Sequence, residues 1–299
     1  MSVSWKGIFP AITTPFGENG GIDHGFLARH ARWLVDAGCA GIIPCGSLGE
    51  SATLRPEEKR AVVDTLVAAV DDRVPIIPGV AALATDEAVT FARAAERAGA
   101  RGLMVLPPYV YSTDAREMGA HVGAVIAATG LPCMLYNNPV AYRTDFVPEV
   151  VAELAARHAN LVAIKESSGD VRRITALRAL VGDRLAIAIG VDDLAVEAAD
   201  AGAIAWVAGL VNAFPRESVA LFDLARRGER ERALALYRWF LPLLRMDTVP
   251  KFVQLIKLAQ ERVGMGSARV RAPRLPLTGP ELVAAEATIA AALAARPRP

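Results

Sequence analysis

Eight times along this chain a short apolar run is followed by a segment of helical periodicity, and this alternation limits the fold more than any other feature. The runs are Gly7–Thr13, Ala40–Cys45, Pro75–Val80, Gly102–Leu106, Pro132–Tyr136, Leu161–Lys165, Leu185–Ile189 and Ala203–Ala208. Most are continuously hydrophobic rather than alternating, as parallel strands buried on both faces require. The segments between them open as helices do. Pro56 is followed by Glu57 and Glu58, and Thr85-Asp86-Glu87 and Asp114–Glu117 start the next two in the same way. Eight strand–helix units predict a closed (β/α)8 TIM barrel over residues 1–228. An open doubly wound sheet is the competitor, but no glycine-rich dinucleotide turn follows the first strand. Three further helical stretches, Glu229–Arg245, Thr248–Val263 and Pro280–Ala295, predict a C-terminal helical extension over 229–299 packed on the barrel.

Composition narrows the functions open to such a chain. The net charge is +1 and basic residues form no block, so a nucleic-acid partner is not expected. No apolar stretch reaches the roughly 20 residues of a membrane span. The first residues do not read as a signal peptide, and three cysteines in apolar runs read as free thiols. The expected setting is cytoplasmic. The four histidines lie in helical segments without ligand spacing and read as surface residues, so no metal site is expected.

In α/β barrels the chemistry sits at the C-terminal ends of the strands. Polar residues end four of them here: Gly46-Ser47-Leu48-Gly49-Glu50, Tyr109 and Tyr111, Tyr136-Asn137-Asn138, and Lys165-Glu166-Ser167-Ser168. Lys165 stands out because only five of the 33 basic residues are lysine. At the ordinary lysine pKa of about 10.4, about one side chain in 2,500 is neutral at pH 7. Desolvation raises that fraction, and the free amine attacks carbonyl or imine carbon; arginine cannot do this. The structural alternative is a Lys165–Glu166 ion pair, which is geometrically poor because neighbouring strand residues point to opposite faces. Tyr136 could exchange protons near that amine, or simply pack at the barrel rim. The Gly46–Gly49 turn offers backbone N–H groups and one hydroxyl, enough to hold a carboxylate.

With these motifs in this order, the chain resembles the dihydrodipicolinate synthase / N-acetylneuraminate lyase family of class I aldolases over nearly its whole length. The shared segments include Gly7–Phe16, Gly46–Glu50, Tyr136–Pro139, Lys165–Asp170 and Gly190-Val191-Asp192-Asp193. The resemblance implies a Schiff base on Lys165, proton transfer by Tyr136, and a relay through Ser47 to Tyr109 (or Tyr111) lent by a neighbouring subunit. It implies that Gly46, Leu48, Gly49 and Ala205 line the 2-oxo acid end of the site. It also implies no cofactor, because the imine is the electron sink, and a homotetramer built as a dimer of dimers. Two positions depart from the family. Leu48 stands where a second hydroxyl is usual, and Ala141 stands where the synthases carry an arginine, with Arg143 two residues later.

Tyr136–Tyr142, Gly209–Pro215 and Tyr237–Phe240 look closer to the 1-pyrroline-4-hydroxy-2-carboxylate deaminases. That branch implies a hydrolytic role in hydroxyproline degradation: dehydration and deamination of a cyclic imine to 2-oxoglutarate semialdehyde. It would also leave condensation with a carboxylate-bearing second substrate disfavoured. The alternatives are a dihydrodipicolinate synthase, a 2-keto-3-deoxy sugar acid aldolase or dehydratase, and a non-catalytic regulator that binds keto acids.

Overall fold

A computed structural model describes residues 3–108 and 114–297. Seven parallel strands pair in the order Gly7–Pro10, Ala205–Ala208, Ala186–Ile189, Leu161–Glu166, Cys133–Asn137, Leu103–Val105, Gly79–Val80. The gap between the first and last is closed by residues 40–44. On one side Ala40 N donates to Ile8 O (2.7 Å) and Ile43 N to Pro10 O (2.8 Å). On the other, Ile42 N donates to Pro75 O (3.0 Å) and Gly79 N to Pro44 O (2.8 Å). The result is the (β/α)8 barrel. Pro44, Pro75 and Pro78 lack an N–H, which breaks the ladder here into isolated bridges at Ile42 and Ile43.

Two apolar cores follow from this closure. One lies between the strands and the surrounding helices; the other fills the barrel and includes Phe9, Ile43, Leu48, Met104, Met134, Tyr136, Ala188 and Ala205. The helices start where their sequences say they should. Pro56 opens the helix Pro56–Val70, with Glu58 accepting from Arg55 N at 2.9 Å, and Asp114 caps Ala115–Ala127 by accepting from Glu117 N at 2.8 Å.

Two local expectations need correction, and one short helix is new. The helix expected from Thr248 begins at Phe252 and runs to Arg262. Pro250 disfavours helical backbone at Val249, so a separate turn, Arg245–Asp247, precedes it. The stretch after Tyr136-Asn137 holds a short helix, Pro139–Tyr142, with Asn138 capping it through Ala141 N (3.0 Å). The histidines are not all on the surface. His30 is fully buried between the rings of Phe26 and Trp33, and burial pushes its pKa down to about 4. His121 is buried as well.

Cys39, Cys45 and Cys133 are buried and free, with burial pushing each thiol up to about 12. Among the described residues no helix is long and apolar enough to cross a membrane.

Candidate active site

Four adjacent strands place one residue each in the same layer of the barrel. Tyr136 is in register with Lys165, Lys165 with Ala188, and Ala188 with Ala205. The two alanines leave room for the lysine, whose Nζ lies 4.1 Å from the centre of the Tyr136 ring. That ring face is a favourable place for a cationic nitrogen, whether ammonium or iminium. Gly190 closes the other side: a Cβ there would lie 2.2 Å from Lys165 Cε, so no larger residue fits.

The alternative Lys165–Glu166 pair does not form. Glu166 turns to the opposite face, where it accepts from Asn137 Nδ2 (3.1 Å) and Ser168 N (2.7 Å) and sits 3.6 Å from Arg173 Nε. Lys165 has no carboxylate within ion-pairing distance among the described residues.

The Gly46–Glu50 loop sits at the C-terminal mouth. It is strained, with Cys45 and Glu50 at φ of +59° and +56°. Gly49 allows a close approach, since a Cβ there would lie 3.1 Å from Ile12 O. What holds the loop comes from the far end of the chain. Glu50, fully buried, accepts from Lys257 Nζ at 2.5 Å and from Arg271 N at 3.1 Å, and Lys257 also donates to Arg269 O at 2.8 Å.

Removing one partner of a buried pair leaves the other uncompensated. Lys257→Met should therefore cost about 3–5 kcal/mol. Adding Glu50→Gln to it should return part of that stability. Denaturant titration of the single and double variants checks this; a single-variant cost below about 1 kcal/mol would remove the pair from this role.

Ser47 Oγ is hydrogen-bonded to Tyr142 OH, and the Tyr142 ring stands edge-on to Tyr136 at 5.7 Å. Asn138 Nδ2 donates to Tyr136 OH at 3.0 Å. The sequence-selected residues Lys165, Tyr136, Ser47, Leu48 and Ala205 thus converge on one mouth, while Tyr109 and Tyr111 lie outside the described residues. Tyr142 is the participant that sequence reasoning missed. Its signal was Asn138-Pro139, a cap followed by a proline that turns the chain back over the barrel. Leu48 is buried in the interior core, and Ala141 is exposed on the short helix. The N–H groups of Ser47 and Leu48 have no acceptor among the described residues.

A model of the dihydrodipicolinate synthetase family matches residues 4–292. The chain belongs to that family. Its relatives include a 4-hydroxy-tetrahydrodipicolinate synthase from Methanothrix thermoacetophila, 34% identical over 92% of both chains. The structure of the 4-hydroxy-tetrahydrodipicolinate synthase from Methylacidiphilum fumariolicum SolV superposes with a TM-score of 0.93, at 30% identity and 97% coverage of each chain. A dihydrodipicolinate synthase from Acinetobacter baumannii, solved with pyruvate, gives 0.90 at 27% identity, over 97% of this chain and 99% of that one.

Membership makes the protein a class I aldolase-type lyase. It also corrects the hydrolytic reading. The relatives are named as synthases, so the assignment as a hydrolase of hydroxyproline degradation is withdrawn. The physical reason is that the departures at Leu48 and Ala141 take away a hydroxyl and a guanidinium without adding a group that would hydrolyse the imine: Leu48 is an apolar residue of the interior core and Ala141 an exposed methyl on the short helix.

Proposed function

We propose that this family member forms an imine between Lys165 and pyruvate and adds the resulting enamine to an aldehyde. The acceptor its relatives' names point to is aspartate 4-semialdehyde, which makes the chain a 4-hydroxy-tetrahydrodipicolinate synthase. The observation that carries the reading is Lys165 Nζ lying 4.1 Å over the Tyr136 ring, in a layer otherwise walled by alanine.

The lysine amine attacks C2 of pyruvate, and Tyr136 supplies the proton with which the carbinolamine loses water. The iminium then draws electrons from C3, a proton leaves, and the enamine forms. The free N–H groups of Ser47 and Leu48 suit the pyruvate carboxylate. Arg143 follows the short helix at φ +57°, is exposed, and has no ion-pair partner among the described residues. It is the guanidinium nearest in the chain to the family's arginine position.

A second reading rests on Leu48 and Ala141. With an apolar side chain and no arginine at those positions, a hydroxylated aldehyde from a 2-keto-3-deoxy sugar acid is the competing acceptor. A homotetramer in a reducing, cytoplasmic setting completes the proposal; the three buried free thiols support the setting.

The test measures dihydrodipicolinate formation from pyruvate and aspartate 4-semialdehyde beside cleavage of 2-keto-3-deoxygluconate. Condensation should dominate. Arg143→Ala should raise the KM for the semialdehyde about tenfold, the worth of a charge-assisted hydrogen bond, without changing that for pyruvate. Sugar-acid cleavage without condensation would select the second reading, and neither activity would refute both.

A further inference from the structure

The mouth of the barrel holds a carboxyl for which the steps above have no task. Asp247 ends the turn Arg245–Asp247, and its Oδ1 lies 2.1 Å from where a Cβ on Gly209 would be. Gly209 directly follows the strand Ala205–Ala208, so this carboxyl hangs over the C-terminal end of a strand in the Lys165 layer. Only glycine at 209 permits the approach. The Gly209 N–H is itself committed elsewhere: it donates to Asp192 (3.1 Å), as do Leu210 N (2.7 Å) and Trp206 Nε1 (2.9 Å).

Asp247, by contrast, has no side-chain hydrogen bond or ion pair among the described residues. It is tightly surrounded yet keeps some exposure. The charged groups around it are Asp192, Asp193 and Lys165, with Arg245 Nε held 3.7 Å from Asp193. Burial first, and then the charges of Asp192 and Asp193, push its pKa well above the usual carboxylate range, while Lys165 pulls the other way.

A second, independent observation points to a ligand beside the lysine. Ser167 Oγ is buried and has no hydrogen-bond partner among the described residues. It shares the barrel-facing side of its strand with Lys165, and a Cβ on Gly190 would lie 2.1 Å from Ser167 Oγ and 2.2 Å from Lys165 Cε. The hydroxyl therefore stands beside the lysine stem with no partner among the described residues, a costly arrangement unless substrate supplies one.

We propose that Asp247, in its acid form, is the proton donor to the acceptor's carbonyl oxygen. The inference rests on the enamine reading above. C3 of the enamine bonds to the aldehyde carbon, and the carbonyl π pair moves to oxygen. That oxygen takes the Asp247 proton and becomes the alcohol. The lysine nitrogen is left as iminium, which water hydrolyses to release product and amine, and the Asp247 carboxylate regains its proton from solvent.

Asp247→Asn keeps the shape and removes the transferable proton. In this variant borohydride should still trap pyruvate on Lys165, and the C3 protons of pyruvate should still exchange in D2O, because both precede the acceptor. Turnover with aspartate 4-semialdehyde, or with glyceraldehyde as the other acceptor, should fall by about 10²–10³, within the range for a lost general acid. The KM for pyruvate should not move. An acid is competent below its pKa, so the wild-type kcat should fall as pH rises through it; the variant should lose that limb. A kcat within twofold of wild type, or loss of trapping and exchange along with turnover, would overturn the proposal. Failure of the wild-type protein to trap pyruvate would instead overturn the enamine reading beneath it.

Discussion

Lys165→Arg should bring turnover to background, a loss on the order of 10⁵ or more, because the whole rate enhancement runs through a covalent step that arginine cannot take. The guanidinium stays charged at every pH the fold tolerates. The fold itself should survive. Arginine keeps a cation over the Tyr136 ring, where the lysine Nζ now lies 4.1 Å from the centroid, and guanidinium stacks well on such a face. Ala188 and Ala205 leave space in the layer for the larger head group. The check is kcat beside a thermal melt. Activity above a hundredth of wild type in a folded variant would remove Lys165 from the covalent role.

Tyr136→Phe should lower kcat by about 10²–10⁴. The ring remains, so the contact with Lys165 and the edge-on packing against Tyr142 at 5.7 Å are kept. What goes is the hydroxyl that Asn138 now reaches at 3.0 Å. Because carbinolamine dehydration needs a proton as much as the later steps do, imine formation should slow as well. This separates Tyr136 from Asp247, whose loss should leave the imine untouched. Rapid-mixing measurement of imine formation from pyruvate distinguishes the two; a normal rate in Tyr136→Phe would return the tyrosine to packing.

The neighbourhood of Lys165 and Tyr136 is legible because its signals are local. A lone lysine among arginines at the end of an apolar strand, with a tyrosine ending the neighbouring strand, needs no knowledge of distant contacts. The alternation rule also separated Lys165 from Glu166 correctly, since it depends only on the pleat of one strand. The rim was less legible. Lys257 meets Glu50 across 207 positions of sequence, and no pattern around either residue announces the other. Asp247 gains its place from the turn Arg245–Asp247 and from a glycine just past the strand Ala205–Ala208. His30 looked like a surface residue because helical periodicity alone does not say which polar positions a second element will cover. The substitutions at Leu48 and Ala141 are visible in the sequence, which shows that a contact is missing and not whether Arg143 stands in for it.

The most direct test of the account is to incubate the wild-type protein with pyruvate, reduce with borohydride, and map the modified peptide by mass spectrometry. The account predicts one adduct, on Lys165, with the mass of reduced pyruvate; an adduct on Lys59 or Lys257, or none while pyruvate still binds, would contradict it.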